Sequence, residues 1–302
     1  MPAGWFSGTG FTFNPPTSPD MKMICFPARA RLSRRLHVLS ASILGLIAPH
    51  LHAATFTWLE TNSGILNWSA GAWNPLAPTA LDSLITTDLI FNGSGTTQYT
   101  ANNNLASPFL LNTLTLNSSA TVTQTIGFGG LNFNANDTPA AVTQSGSGAF
   151  VIGSAITATN PLTFAGTGTG LVTVTGAIDG AGLLTKSGSG TVLFNNFAST
   201  YSGGTTITAG VLEVMTSVAN GNVDLPATGG SVLGNGGAVT INGGELKISQ
   251  NGTGSILSTA AARNITFGAN GGTLNLNGRI AANAATTFAL TLAPGGAATA
   301  SI

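Results

Sequence analysis

Charged residues are scarce in this sequence. It has only 9 Lys+Arg and 9 Asp+Glu among 302 residues, with a net charge of zero. In soluble domains about a quarter of all residues are charged. A nucleic-acid-binding protein needs a basic patch or stripe, so we expect no nucleic-acid partner. The hydrophobic content of 43% excludes a disordered polar chain.

Histidine and cysteine are also nearly absent. The three histidines and the single cysteine all lie in the first 53 residues: Cys25, His37, His50 and His52. The remaining chain therefore cannot form a histidine- or cysteine-based nucleophile system, a zinc site with those ligands, or a disulfide. Nucleotide-binding glycine motifs and calcium-loop motifs are missing too. We predict no catalytic residue, no cofactor and no metal.

The first 53 residues have the pattern of a secretory signal peptide. A basic stretch, residues 22–35, precedes an apolar run at residues 36–48 and a small-residue exit that ends at Ala53. The apolar run is shorter than the roughly 20 residues that span a bilayer, which disfavours a membrane anchor. Residues 1–20 look like a start-site extension, with Met21 or Met23 as the true start. We predict Sec-dependent export of a chain that begins at Ala54.

The remaining sequence is typical of short strands separated by turns, because apolar and polar residues alternate between Gly, Asn and Ser. An internal repeat supports a specific arrangement. Residues 206–214 align without gaps on residues 240–248, and a third copy lies within residues 263–278. Ile207 and Ile241 occupy equivalent apolar positions, and Glu213 and Lys247 occupy equivalent outward ones. Stacked repeats predict an all-β, single-stranded parallel β-helix, with an antiparallel sandwich or jelly roll as the rival.

Three tryptophans, Trp58, Trp68 and Trp73, distinguish residues 54–104 from residues 105–302, which contain none. We predict that this region is an N-terminal cap that covers the open core; the alternative is a carbohydrate-stacking platform. Residues 105–302 are predicted to form the β-helix, with the best repeat at 176–214 and weaker copies at 229–248 and 263–278. The uncharged C-terminal coil predicts self-association through its open edge, or fraying from Arg279 onward.

The segment 176–214 resembles the autotransporter-associated β-strand repeat, a passenger-associated repeat. The resemblance rests on the order of Lys186, Tyr201, Gly203 and Gly204 among regularly spaced glycines. It implies a right-handed β-helical passenger at the cell surface, the outer membrane or outside the cell, and it assigns no catalytic residues. From the residues themselves, Lys186 is a solvated or carbonyl-capping lysine in a turn. The Tyr201 ring covers a bend with its hydroxyl in water, and the glycine pair adopts backbone angles closed to other residues.

The leading function is therefore a structural, adhesin-like role without catalysis, directed at an unidentified surface or polysaccharide ligand. The enzyme alternative is a polysaccharide lyase or glycosidase on the same fold. Its chemistry would come from charged residues on neighbouring coils: Glu213, Asp224, Glu245 and Lys247. No translocator segment follows Ile302, so we expect a truncated reading frame or a released chain, with a separate translocator.

Overall fold

Alternation of apolar and polar residues produces a chain of short strands. The computed structural model describes residues 54–59, 61–134, 140–215, 223–224, 231–235, 237–249, 256–257, 264–277, 289–292 and 298–301. All of these lie within one compact unit, residues 51–302. The signal-peptide prediction for residues 1–53 lies outside the described residues. In the described part of the chain, no helix has the length and apolar character needed to cross a membrane.

The strands in chain order are β1 Thr55–Trp58, β2 Gly64–Asn67, β3 Trp73–Asn74, β4 Asp88–Gly93, β5 Tyr99–Asn103, β6 Phe109–Leu111, β7 Thr113–Ser118, β8 Gln124–Phe128 and β9 Leu131–Phe133. They continue with β10 Ala140–Gln144, β11 Phe150–Ile152, β12 Ile156–Ala158, β13 Leu162–Ala165, β14 Val172–Val174, β15 Ile178–Asp179, β16 Leu184–Lys186, β17 Thr191–Phe194 and β18 Thr205–Ile207. The last are β19 Val211–Met215, β20 Val223–Asp224, β21 Val239–Ile241, β22 Glu245–Ser249, β23 Ile256–Leu257, β24 Asn264–Phe267, β25 Gly272–Asn277, β26 Ala289–Leu292 and β27 Ala298–Ser301. A 3₁₀ helix, Ala80–Asp82, lies between β3 and β4.

These strands stack into a parallel β-helix. One sheet has eleven strands in the order β26-β24-β21-β18-β16-β13-β10-β7-β4-β1-β3, and the second has ten in the order β2-β5-β8-β11-β14-β17-β19-β22-β25-β27. A third side carries β6, β9, β12 and β15, and a separate pair joins β20 to β23. Among the described strands, every pairing is parallel except β1 with β3. The all-β solenoid prediction is confirmed over the antiparallel rival; the right-handed sense stays a prediction.

The register of the stack reproduces the internal repeat of the sequence. Ile207 pairs with Ile241, and Glu213 pairs with Lys247. Both isoleucine side chains are fully buried, as the gapless alignment predicts. Because each coil adds a strand to the same column, equivalent positions lie one strand spacing apart, about 4.8 Å. The third copy continues this order, since Phe267 pairs with Ile241.

The parallel ladder begins at β1, and not near residue 105 as the sequence analysis places it. β1 pairs with β4, and β2 pairs with β5, in the same parallel sense as later strands. The difference arises because these first coils use large aromatic rings as inward residues, for example Trp58 and Phe91, in place of the smaller aliphatic ones of the repeat. Within residues 54–104, the element that departs from the stack is β3, which lies antiparallel along the outer edge of β1.

Candidate functional site

Lys186 of the repeat occupies an inward position at the end of β16. In the eleven-stranded sheet it pairs with Phe164 on one side and Ile207 on the other, and both of these are core residues. The lysine itself is only 3% exposed. An inward lysine in an apolar column is costly unless its ammonium group is hydrogen-bonded.

The ammonium group of Lys186 meets that requirement with backbone carbonyls. Its Nζ donates to the carbonyl oxygens of Ser187 at 2.9 Å, Gly188 at 2.9 Å and Ala209 at 3.1 Å. The first two belong to the turn after β16 and the third to the turn of the next coil, so one side chain joins two coils. Of the two readings from the sequence, carbonyl capping is correct and solvation is wrong. Burial lowers the pKa of Lys186 to about 8.

Tyr201 is buried within the third side of the coil, and its ring is fully covered. Its hydroxyl lies 2.7 Å from Oγ1 of Thr205, an inward residue of β18. The prediction that this hydroxyl stays in water is therefore wrong. The chain around Tyr201 continues the backbone ladder of the third side, because its amide donates to the carbonyl of Ile178 and its carbonyl accepts from Asn235. That ladder turns the ring toward the interior.

The two glycines after Tyr201 are required for different reasons. Gly204 has a φ of +84°, which confirms the predicted need for a backbone conformation that other residues rarely adopt. Gly203 is needed for space, since a Cβ there would lie 2.3 Å from the carbonyl carbon of Gly182 in the preceding coil. Gly203 does not have a positive φ, so the predicted backbone conformation is confirmed for Gly204 and wrong for Gly203, which close stacking of turns explains instead.

Three residues of the enzyme alternative, Glu213, Glu245 and Lys247, lie on the outward face of the ten-stranded sheet, whereas Asp224 belongs to the separate strand pair of β20 and β23. Nζ of Lys247 lies 3.1 Å from Oε1 of Glu213 on the adjacent strand. Glu245 is on the strand of Lys247 and accepts a hydrogen bond from Nδ2 of Asn275 at 2.8 Å. The structure therefore brings Glu213 and Lys247 together as an ion pair on adjacent strands. The side chain of Asp224 lies outside the described residues.

The three tryptophans form a buried aromatic cluster at the first coils. Trp58 and Trp68 are fully covered and Trp73 is 8% exposed. Trp73 packs edge-on against Trp58 at a centroid distance of 4.9 Å and donates its indole N–H to the carbonyl of Trp68 at 2.9 Å. Rings buried in this way offer no face on which a sugar could stack. They fill the interior at the end of the described stack.

A small cavity of about 230 Å³ lies beside this cluster, between the turns of the first two coils. Leu59, Asn92 and Tyr99 are among its lining residues. The Tyr99 hydroxyl donates to the Asn92 carbonyl at 2.5 Å, and burial raises the pKa of the tyrosine well above its usual range. Among the described residues, the side chains that line the cavity are uncharged. Within the described residues, no group of three or more His, Cys, Asp or Glu side chains is placed to hold a metal ion.

Residues 184–214 match the family model described as the passenger-associated-transport-repeat. The matched segment runs from β16 to the end of β19 and contains Lys186, Tyr201 and both glycines of the pair. The match confirms the repeat family that the sequence resemblance indicates. No curated protein and no solved structure matches the chain.

Proposed function

We propose that this chain, which carries a passenger-associated-transport repeat, is an exported passenger displayed at the cell surface or released from it. Its role is structural and adhesin-like, without catalysis of its own. The observation that carries the proposal is the position of the repeat. Residues 184–214 lie inside a continuous parallel stack, in which β16 pairs with β13 before it and β18 pairs with β21 after it.

The physical properties of the stack suit a protein that works outside the cell. Its described coils are held together by parallel backbone ladders and by columns of buried side chains. An elongated stack presents long lateral faces that are rigid before a ligand arrives, which reduces the ordering cost of binding. Both features support a scaffold or adhesin-like role.

Export is tested by inserting a short epitope tag at Gly95. This turn residue has a φ of +65°, and a Cβ at that position would meet no atom within 4 Å. We expect antibody to label intact cells or the tag to appear in the medium, with Ala54 as the first residue of the exported chain. A matched tagged chain without residues 1–53 should stay inside. Recovery of the full chain in the cytoplasm, with its leader intact, would refute the proposal.

The non-catalytic part is tested with acidic polysaccharides, with and without calcium. We expect no release of unsaturated sugars by the purified chain. Turnover that disappears in Glu213→Gln, Glu245→Gln or Lys247→Met, but persists in a variant on the opposite sheet such as Thr163→Val, would establish the enzyme alternative.

A further inference from the structure

Threonine recurs at one outward position along successive strands of the eleven-stranded sheet. The register links one column across seven strands, from β7 to β24: Thr113, Ala141, Thr163, Thr185, Thr206, Thr240 and Thr266. A second column lies two residues further along the chain: Thr115, Thr143, Ala165, Ser187, Thr208, Asn242 and Gly268. Its last four residues directly follow the ends of their strands. All of these residues are partly or fully exposed. We call the two columns together the threonine face.

The corresponding column of the ten-stranded sheet has a different composition. Across the equivalent strands it reads Thr125, Val151, Thr173, Leu193, Glu213, Lys247 and Asn275. The preference of strands for β-branched residues applies equally to both sheets. A column that keeps threonine on one sheet and varies on the other therefore points to a requirement of that face beyond folding.

The threonine face is also uncharged. From β7 to β24 neither of its columns contains an acidic or basic side chain, whereas the opposite column carries Glu213 and Lys247. The carboxylate of Asp88 on β4 borders the first column next to Thr113. Charge complementarity thus favours a neutral partner. Because the hydroxyl groups recur on consecutive strands of one parallel sheet from Thr163 to Thr266, the partner that matches them best is periodic.

The spacing identifies such a partner. Adjacent strands lie about 4.8 Å apart. In a tetrahedral water network with O···O distances of about 2.8 Å, second-neighbour oxygens lie about 4.6 Å apart. The mismatch of about 0.2 Å per coil accumulates to about 0.8 Å over the four spacings from Thr163 to Thr266. A lattice of water therefore stays close to register across five consecutive coils.

We propose that the threonine face binds the surface of ice. The hydroxyl groups of Thr113 and Thr208 donate within the protein, to Asp88 and to the carbonyl of Lys186. Each of the other threonine hydroxyl groups takes the place of a lattice water as donor and acceptor, while each methyl group packs against the lattice. The backbone ladder keeps the columns fixed, so little entropy is lost on binding. Many individually weak contacts form at the same time on one rigid surface, so their combined affinity for ice exceeds that of any single contact. This inference does not depend on the export proposal.

The experiment measures ice recrystallisation and ice-shell adsorption with the purified full chain. The test variant is Thr206→Lys, which places a long charged side chain at the centre of the threonine face between Thr185 and Thr240. The matched control is Thr173→Lys, at the outward position of β14 on the opposite sheet. We expect the native chain to slow recrystallisation, Thr206→Lys to lose about tenfold in potency, and Thr173→Lys to stay within about twofold.

Far-UV circular dichroism checks that both variants fold. If Thr206→Lys does not, Thr206→Val replaces it, since this change keeps the shape and removes only the hydroxyl; we expect it to weaken adsorption while the fold is retained. The proposal is overturned if the native chain slows ice recrystallisation no more than serum albumin does, or if Thr206→Lys and Thr173→Lys both fold and lose this effect equally. Adsorption to crystalline cellulose or chitin but not to ice would also overturn it.

Discussion

The substitution Lys186→Met tests whether the buried lysine holds two coils together. Methionine keeps the length and the apolar stem of lysine but removes all three donors, so the carbonyls of Ser187, Gly188 and Ala209 lose their partner. Hydrogen bonds from a charged donor contribute about 1.5–3 kcal/mol each, so three contribute about 5–9 kcal/mol if they add. Burial, which also lowers the pKa of Lys186 to about 8, offsets part of this contribution by desolvating the ammonium group, and methionine avoids that cost. We therefore expect a net loss of about 2–6 kcal/mol at pH 7.

The matched control is Lys247→Met, which removes an outward lysine from a nearby strand of the same stack. Its partly exposed ion pair with Glu213 is worth less than about 1 kcal/mol. Urea unfolding is followed by two probes, because tryptophan fluorescence reports only on the first coils and circular dichroism reports on the whole ladder. A loss in Lys186→Met no larger than that in Lys247→Met, by circular dichroism, would refute the role assigned to the buried ammonium.

The stability of the native chain relative to Lys186→Met is also expected to depend on pH. The folded chain releases the Lys186 proton near pH 8, whereas the unfolded chain keeps it until about pH 10.5. Between these values the unfolded state binds more protons, so the stability of the native chain relative to Lys186→Met rises with pH, by up to about 3 kcal/mol. A difference that stays flat or falls from pH 7 to 10.5 would contradict the lowered pKa.

Three further experiments test the packing of the repeat and of the aromatic cluster. Tyr201→Phe and Thr205→Val, combined in a double-mutant cycle of urea unfolding, should give a coupling of about 1 kcal/mol for their buried hydroxyl contact; additive losses would show that the contact contributes nothing. Gly203→Ala should destabilise the chain by more than about 2 kcal/mol because its Cβ meets backbone, while Gly127→Ala, with its nearest atom at 3.5 Å, should be tolerated. Trp73→Phe should lower the free energy of unfolding by about 1–2 kcal/mol, because the indole hydrogen bond and part of the buried ring area are lost. An unchanged melting curve would show that the aromatic cluster does not stabilise the first coils.

The repeat was the part of the fold most open to prediction. Ile207 and Ile241 could be placed in one buried column because their repeats align without a gap, and parallel stacking turns sequence equivalence into spatial adjacency. The start of the stack could not be placed in this way. Trp58 and Phe91 occupy the inward positions that aliphatic residues occupy in the repeat, so the first coils do not align with the repeat in sequence. The threonine face was also out of reach, because its columns become visible only once the pairing of strands across turns of unequal length is known.

Two residues of the repeat show how local sequence can mislead. Lys186 stands before a Ser-Gly-Ser-Gly turn, where charge suggests solvent, yet the alternation from Leu184 places it inward, and that signal was present in the sequence. Tyr201 gave no such signal, because it lies outside the regular strands and its burial depends on the third side of the coil. In both cases the partner groups, backbone carbonyls and Thr205, are set by the stack rather than by neighbours in sequence.

The unequal lengths of the coils bear on how such a chain changes over generations. Thr163 and Thr185 are 22 residues apart, whereas Thr206 and Thr240 are 34 apart, yet each pair occupies adjacent strands in the same column. An insertion between two strands therefore leaves the neighbouring columns undisturbed, provided that the next strand rejoins the ladder. Selection can lengthen, shorten or recompose the connecting segments while the stack is inherited intact, and gain or loss of a whole coil alters the length of the molecule without requiring a new core.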